Sequence, residues 1–222
     1  MHGAVLLLAL AQVQGSGRVV DQARNVPEFS GIHVSAGIQA KISIGNRSVV
    51  IRGDDNIVPL VRTEVHGGRL DIGWEPNTSH TTHSSLQVII SAPRLDDLEA
   101  SGGAGIEGGV GSGDALQIDA SGGSHIPVSA ERKQIDAHGS GGAVLALEGK
   151  AEAARLHASG GTVVKAARLS VGNVEVEGSG GADLSVDASG TVRGSLSGGS
   201  TARVGPRAKV EVHTSGGSEV LR

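Results

Sequence analysis

From residue 95 onward, apolar and polar positions alternate with period two on both sides of a recurring Ser-Gly-Gly. The triplet stands at Ser101-Gly102-Gly103, Ser121-Gly122-Gly123, Ser140-Gly141-Gly142, Ser159-Gly160-Gly161, Ser179-Gly180-Gly181, Ser197-Gly198-Gly199 and Ser215-Gly216-Gly217, and successive serines are 20, 19, 19, 20, 18 and 18 residues apart. Aligned on the serine, aliphatic residues fill columns at minus five (Leu116, Ile135, Val174), minus three (Leu98, Ile118, Leu156, Val176) and plus five (Ile106, Ile126, Leu145, Val164), and minus one is Ala or Gly in most copies. Such alternation turns one side of a strand inward and the other to water. A fixed period near 19 residues marks a stacked repeat. The pattern predicts an all-β, single-domain parallel β-helix, or solenoid. Each coil is read as two short strands joined by a Ser-Gly-Gly corner, then a turn of about six residues. Right-handed winding is the expectation for parallel crossovers.

The corner calls for glycine because a bend between strands demands backbone angles that a Cβ makes costly. Serines on successive coils, about 4.8 Å apart, are expected to form a ladder of hydroxyl hydrogen bonds. Residues 95–222 carry the regular repeats. Residues 18–74 lack the signature but keep the spacing: Ser35-Ala36-Gly37, Asp54-Asp55-Asn56 and Gly73-Trp74 follow at intervals of nineteen and read as corners of degenerate coils. Residues 75–85 turn polar and read as an inserted loop, with the strand register from there to residue 100 left open. Together these give roughly nine or ten coils, about 45 Å of stack. At the start, residues 4–11 form a short apolar run ending in Ala9-Leu10-Ala11. That run suits a cleaved secretory signal peptide over residues 1–11 better than a bilayer span. The mature chain, residues 12–222, is then expected in the periplasm, on the outer surface or outside the cell.

Composition narrows the chemistry. The 222 residues include 36 Gly but one Trp, one Phe and no Tyr, with a formal charge of −4; a chain without a basic stripe or stacking aromatics is not expected to bind nucleic acid. The absence of cysteine excludes disulfides and thiolate-bound metals. No cofactor is expected. The segment 103–108 fits the dinucleotide pattern G-x-G-x-x-G, but no helix-forming segment follows to hold a pyrophosphate. Gly108 to Gly113 resembles one calcium nonapeptide with Gly113 in place of the ligand Asp. On a strand neither Asp54-Asp55 nor Asp96-Asp97 makes a two-carboxylate catalytic set, since adjacent residues face opposite ways; at corners both pairs are expected to cap backbone N–H groups rather than to serve catalysis or bind a metal. His80 and His83 read as members of the polar loop rather than metal ligands. A more informative column lies two residues before the corner: Glu99, Asp119, His138, His157 and Glu177. It alternates with inward positions, so it forms an outward polar ladder, solvated or serving as a ligand strip; His138 and His157 would repel if both were charged.

Gly15-Ser16-Gly17, Phe29-Ser30-Gly31-Ile32-His33-Val34, Gly53-Asp54-Asp55-Asn56, Gly67-Gly68-Arg69-Leu70-Asp71-Ile72 and the serial Ala-Ser-Gly-Gly together resemble the bacterial family described as auto-transporter adhesin, head GIN domain. The resemblance spans residues 18–222. It implies an exported parallel β-helix and no catalytic residues; a lipoprotein cysteine expected in some relatives is missing here. The functional expectation is a non-enzymatic scaffold or adhesin presenting its repeat surface to a glycan, a cell-wall component or an envelope protein. Its rivals are a polysaccharide lyase or hydrolase and an envelope signalling or assembly module that pairs with another chain, or with itself, through open strand edges. An enzyme would need Asp, Lys and Arg clustered on neighbouring coils of one face. Arg132, Lys133, Lys150, Arg155, Lys165 and Arg168 read instead as scattered through the turns.

Overall fold

Parallel pairing of successive repeats dominates the structure, a computed structural model that describes residues 12–222. The expected signal peptide lies outside the described residues. Strands Gly105–Ala120, His125–Gly139, Val144–Ser159 and Val163–Ser179 run parallel and in register. One column passes from Leu98 to Ile118, Ala137, Leu156 and Val176. All five are buried, as are the plus-five residues Ile106, Ile126, Leu145, Val164 and Leu184. The fold is therefore the expected parallel β-solenoid of about 19-residue coils in a single domain. Burying each Leu or Ile is worth about 1.5–3 kcal/mol, and repetition extends that gain along the stack. A further inward column, at plus three, was not foreseen: Ala104, Ser124, Ala143, Thr162, Ala182 and Ser200 are small and buried.

Both corner glycines adopt left-handed backbone angles, for different reasons. At Gly198 φ is +64° and an added Cβ would stand 3.0 Å from the amide nitrogen of Gly180, the corner below; at Gly199 φ is +79° with open space around it. The first glycine therefore permits stacking as well as the bend, and the second only the bend.

The coils differ from expectation in their turns. Strands of 15 to 17 residues run through the segment expected to be a loop, bending at register shifts such as Gly109/Ser112 and Ala146/Glu148. Where the ladder breaks at the first of these bends, the carbonyls of Val110 and Gly111 accept from the Arg132 guanidinium of the neighbouring coil instead.

The N-terminal section departs further. Seven turns follow one another, and below them lie two levels assembled from distant segments. Strand Gly31–Val34 sits beneath Asp97–Ala100, with Ile32 opposite Leu98, and Arg69–Trp74 sits beneath Gly31–Val34, with Leu70 opposite Ile32. On the other side of the corner, Gln39–Ile44 pairs with Gly105–Ala120 above and Gln87–Ala92 below, which fixes the register left open between residues 75 and 100. Ser35 and Gly73 thus stand at corners of adjacent levels. Asp54-Asp55-Asn56 is not a coil corner. Ser48–Asp54 runs antiparallel to Val19–Arg24 and Gln87–Ala92, and Val61–His66 runs antiparallel to Arg69–Trp74. The three degenerate coils and the count of nine or ten wound coils therefore give way to seven wound turns, two built levels and an antiparallel cap. The physical reason is that period-two alternation is the same for a parallel coil and an antiparallel hairpin, while an end level left bare would expose its edge. Within the expected polar loop, Ser79–Thr81 forms a short strand parallel to Gln12–Gln14.

Candidate functional site

Stacking brings the column two before the corner into one line. Asp119 lies opposite Glu99, His138 opposite Asp119, His157 opposite His138 and Glu177 opposite His157. Together with the corner serines these side chains line an open groove of about 680 Å³ that crosses the coils from Glu99 to Ser195 and Ser197. The imidazoles of His138 and His157 stack with centroids 4.6 Å apart and planes 7° apart. His157 Nδ1 lies 2.9 Å from Glu177 Oε2.

The serine hydroxyls do not bond to one another. Ser159 Oγ donates to the Gly139 carbonyl at 3.5 Å, and no corner Ser–Ser hydrogen bond occurs among the described residues. The expected ladder fails on distance: strands about 4.8 Å apart keep stacked hydroxyls beyond the roughly 2.5–3.0 Å that an O–H···O bond requires. Several hydroxyls are thereby left facing the groove, including those of Ser140, Ser179 and Ser197.

A second outward column, four before the corner, alternates in charge. Arg155 reaches Asp136 at 3.4 Å and Glu175 at 3.6 Å, and Arg193 reaches Glu175 at 3.4 Å. Arg155 therefore belongs to a strand face, not a turn as expected, and Arg193, which the sequence reading passed over, joins it. Side chains of both signs do cluster on neighbouring coils. Each cation is taken up by carboxylates on the levels above or below, an arrangement that fixes register and adds little stability per exposed pair. Arg132 does lie at a bend, but buried rather than on the surface. Its side chain is 1% exposed, and its guanidinium donates to the carbonyls of Leu95, Val110 and Gly111.

The polar ladder extends below Glu99, beyond the five residues expected. His33 stands two before Ser35 and Asp71 two before Gly73, the same offset, and the register places Asp71, His33 and Glu99 in one line. His33 Nδ1 lies 3.2 Å from Asp71 Oδ1, its Nε2 lies 3.2 Å from Ser101 Oγ, and Arg69 Nη1 donates to Glu99 Oε2 at 2.8 Å. The offset was available in the sequence; the order of the levels was not.

The carboxylate pairs take separate roles. Buried Asp54 accepts from the Ser84 hydroxyl at 2.7 Å and from the backbone N–H groups of His83, Ser84 and Gly17. These bonds, the Ser84 hydroxyl first, hold its carboxyl below the usual carboxylate range. Asp96 pairs with Arg94 and faces Arg132 at 3.8 Å rather than capping N–H groups, while burial pushes the Asp97 carboxyl up. His80 lies against Trp74 with ring centroids 3.6 Å apart, and His83 gives its backbone N–H to Asp54. Among the described residues no three His, Asp or Glu side chains converge as metal ligands. The dinucleotide-like run enters strand Gly105–Ala120 with no helix after it, and Gly108 to Gly113 lies inside that strand.

Solved structures share this architecture. A putative adhesin from Bacteroides fragilis aligns with a TM-score of 0.82 at 20% identity, covering 94% of this chain and 99% of its own. A putative adhesin from Parabacteroides merdae aligns at 0.72 and 19% identity, covering 95% and 98%. A putative lipid binding protein from Parabacteroides distasonis aligns at 0.70 and 15% identity, covering 96% and 100%. At such identities the likeness is one of fold. No curated protein sequence matches the chain. The family model described as "Putative auto-transporter adhesin, head GIN domain" matches residues 28–220, and the chain belongs to that family.

Proposed function

We propose that the protein is an exported, adhesin-like binding scaffold whose groove from Glu99 to Ser197 works by attachment, taking a polysaccharide strand lying along the stack. The observation that carries this reading is the groove itself. It repeats a hydroxyl beside a carboxylate or imidazole on successive coils, each about 4.8 Å from the next. A polymer of polyhydroxylated units can meet the same donors and acceptors coil after coil, so weak contacts accumulate along its length. The adhesin names of two structural neighbours agree with this role. The lipid-binding name of a third neighbour finds less support here, because Ser, His, Asp and Glu line the groove and an acyl chain would leave them unpaired. Among the described residues no helix is long and apolar enough to cross a membrane.

A glycan array probed with residues 12–222, and then with Ser140→Ala, Ser159→Ala and Ser179→Ala combined, tests the reading. Binding by the parent and its loss in a triple variant that melts as the parent does is the expected result. Retained binding by that variant would confine the serines to architecture. Failure of the parent on every glycan, with capture of one envelope protein instead, would move the role to assembly.

A further inference from the structure

We propose that Ser101 is an activated nucleophile, set apart from the other six corner serines by His33 and Asp71, and that it takes acyl groups from small carboxylic esters. Asp71, His33 and Ser101 come from three segments distant in sequence, brought onto adjacent levels by the built N-terminal stack. Asp71 Oδ1 stands 3.2 Å from His33 Nδ1, and His33 Nε2 stands 3.2 Å from Ser101 Oγ. A proton held on Nδ1 by the carboxylate leaves the Nε2 lone pair facing the hydroxyl, which is the division of roles that activates serine in acyl transfer. Glu99 Oε1 is the competing acceptor near Nε2, at 3.9 Å, but Glu99 is already bound by Arg69 at 2.8 Å. Arg69 Nε also lies 3.8 Å from Asp71 Oδ1. The His33 and Asp71 side chains are 25% and 24% exposed, so the site is open to a small ester.

The repeat provides its own comparison. Ser159, His138 and Asp119 occupy the same relative register three levels higher, yet there His138 stacks on His157 and Ser159 donates to the Gly139 carbonyl. The same residue types in the same offsets therefore do not assemble a second relay.

In the reaction, Ser101 Oγ adds to the ester carbonyl carbon as His33 Nε2 takes the hydroxyl proton. The adduct then breaks its C–O bond to the alcohol, which leaves with that proton. Water, deprotonated in turn by His33, adds to the acyl-serine and releases the acid, restoring Ser101. The reaction goes beyond attachment, and its test needs no groove ligand. The chain is treated with a fluorophosphonate probe, modified serines are mapped by mass, and p-nitrophenyl acetate hydrolysis is followed in parallel.

The expected adduct is on Ser101, with Ser121 and Ser159 unmodified. Ser101→Ala should abolish both signals and Ser215→Ala, at a corner outside the groove, neither. His33→Gln should slow both by about 10²–10⁴-fold, the range of a lost general base. Asp71→Asn should slow Ser101 labelling without altering the background at Ser159, a selectivity that a purely structural role would not produce; melting curves check that each variant is folded. Labelling of Ser101 no faster than of Ser121 in the parent chain, or undiminished in folded His33→Gln or Asp71→Asn, would overturn the proposal.

Discussion

Replacing Arg132 with Met should destabilise the coil stack more than any other single change to a charged side chain outside the antiparallel cap. The guanidinium is buried, with Nη2 donating to Leu95 O at 2.8 Å and Val110 O at 2.9 Å, and Nη1 to Gly111 O at 2.6 Å. It ties the bend of one coil to the entry of the coil before it. Hydrogen bonds from a charged donor contribute about 1.5–3 kcal/mol each, so the gross gain is large. Against it stands the cost of taking the cation out of water, which also pushes its pKa down and amounts to several kcal/mol. Methionine fills similar volume but strands three carbonyls, and the expected net loss is about 3–5 kcal/mol, the range for breaking a buried ionic contact from one side. Urea denaturation with Lys133→Met as the exposed neighbour would measure it. Amide exchange should accelerate first in Gly105–Ala120 and His125–Gly139 and least in Lys209–Thr214, because a solenoid couples mainly nearest neighbours. A loss below about 1 kcal/mol would show that desolvation cancels the hydrogen bonds and that the staple adds nothing to stability.

Leu156→Ala should cost about 2–5 kcal/mol through lost burial and a cavity, whereas the outward His157→Ala should stay within about 0.5 kcal/mol; equal losses in denaturant melts would invalidate the column assignment. Gly199→Ala should cost about 1–2 kcal/mol for left-handed backbone alone, and Gly198→Ala more, because its Cβ would also meet the amide of Gly180; the reverse order would mean that the corners do not stack as described. Asp54 has a folded pKa below its unfolded value, so its contribution is complete above the unfolded value of about 3.9 and is lost as pH falls through the lower folded value. Asp54→Asn should remove that part of the acid dependence, and an unchanged acid limb would refute the role of the Asp54 hydrogen bonds. Protein recovered from the native envelope should begin at or near Gln12, and N-terminal sequencing that finds Met1 intact would remove the leader.

The regular turns were legible because each device repeats. Seven glycine corners fix the phase, and the aliphatic columns around them repeat with it, so a misreading at one coil is corrected by the next. Nothing comparable corrected the reading of residues 18–74. Val49 and Ile51 alternate as well against an antiparallel partner as on a parallel coil, and the interval of nineteen from Ser35 to Asp54 coincides with the repeat length. Arg132 was illegible for another reason: it occupies a bend, and burial there depends on carbonyls that only the neighbouring coil supplies. Of the groove, the line Glu99, Asp119, His138, His157, Glu177 followed from one offset, and the same offset marks His33 and Asp71. Their juxtaposition with Ser101 required knowing that residues 69–74 lie beneath residues 31–34, an order opposite to that of the sequence.

Regularity also limits what the stack can do. Within a uniform solenoid each outward side chain meets neighbours from the same column, so a carboxylate meets a histidine or another carboxylate at one fixed rise, and interactions recur as ladders instead of converging on a point. Such a surface suits a repeating ligand. A site that brings three different groups to one atom needs levels of different origin, and the junction between the two built levels and the first wound turn provides them: Asp71 from one hairpin, His33 from an earlier strand, Ser101 from the first regular corner. Three levels higher, Asp119, His138 and Ser159 repeat the offset, but a second histidine stands directly above His138 and captures its ring by stacking. In the junction the residue above His33 is Glu99, held by Arg69, and His33 remains free to bond on both sides of its ring. The same column thus forms a polar ladder where it is repeated, and where the repetition is broken it leaves His33 facing the corner hydroxyl of Ser101.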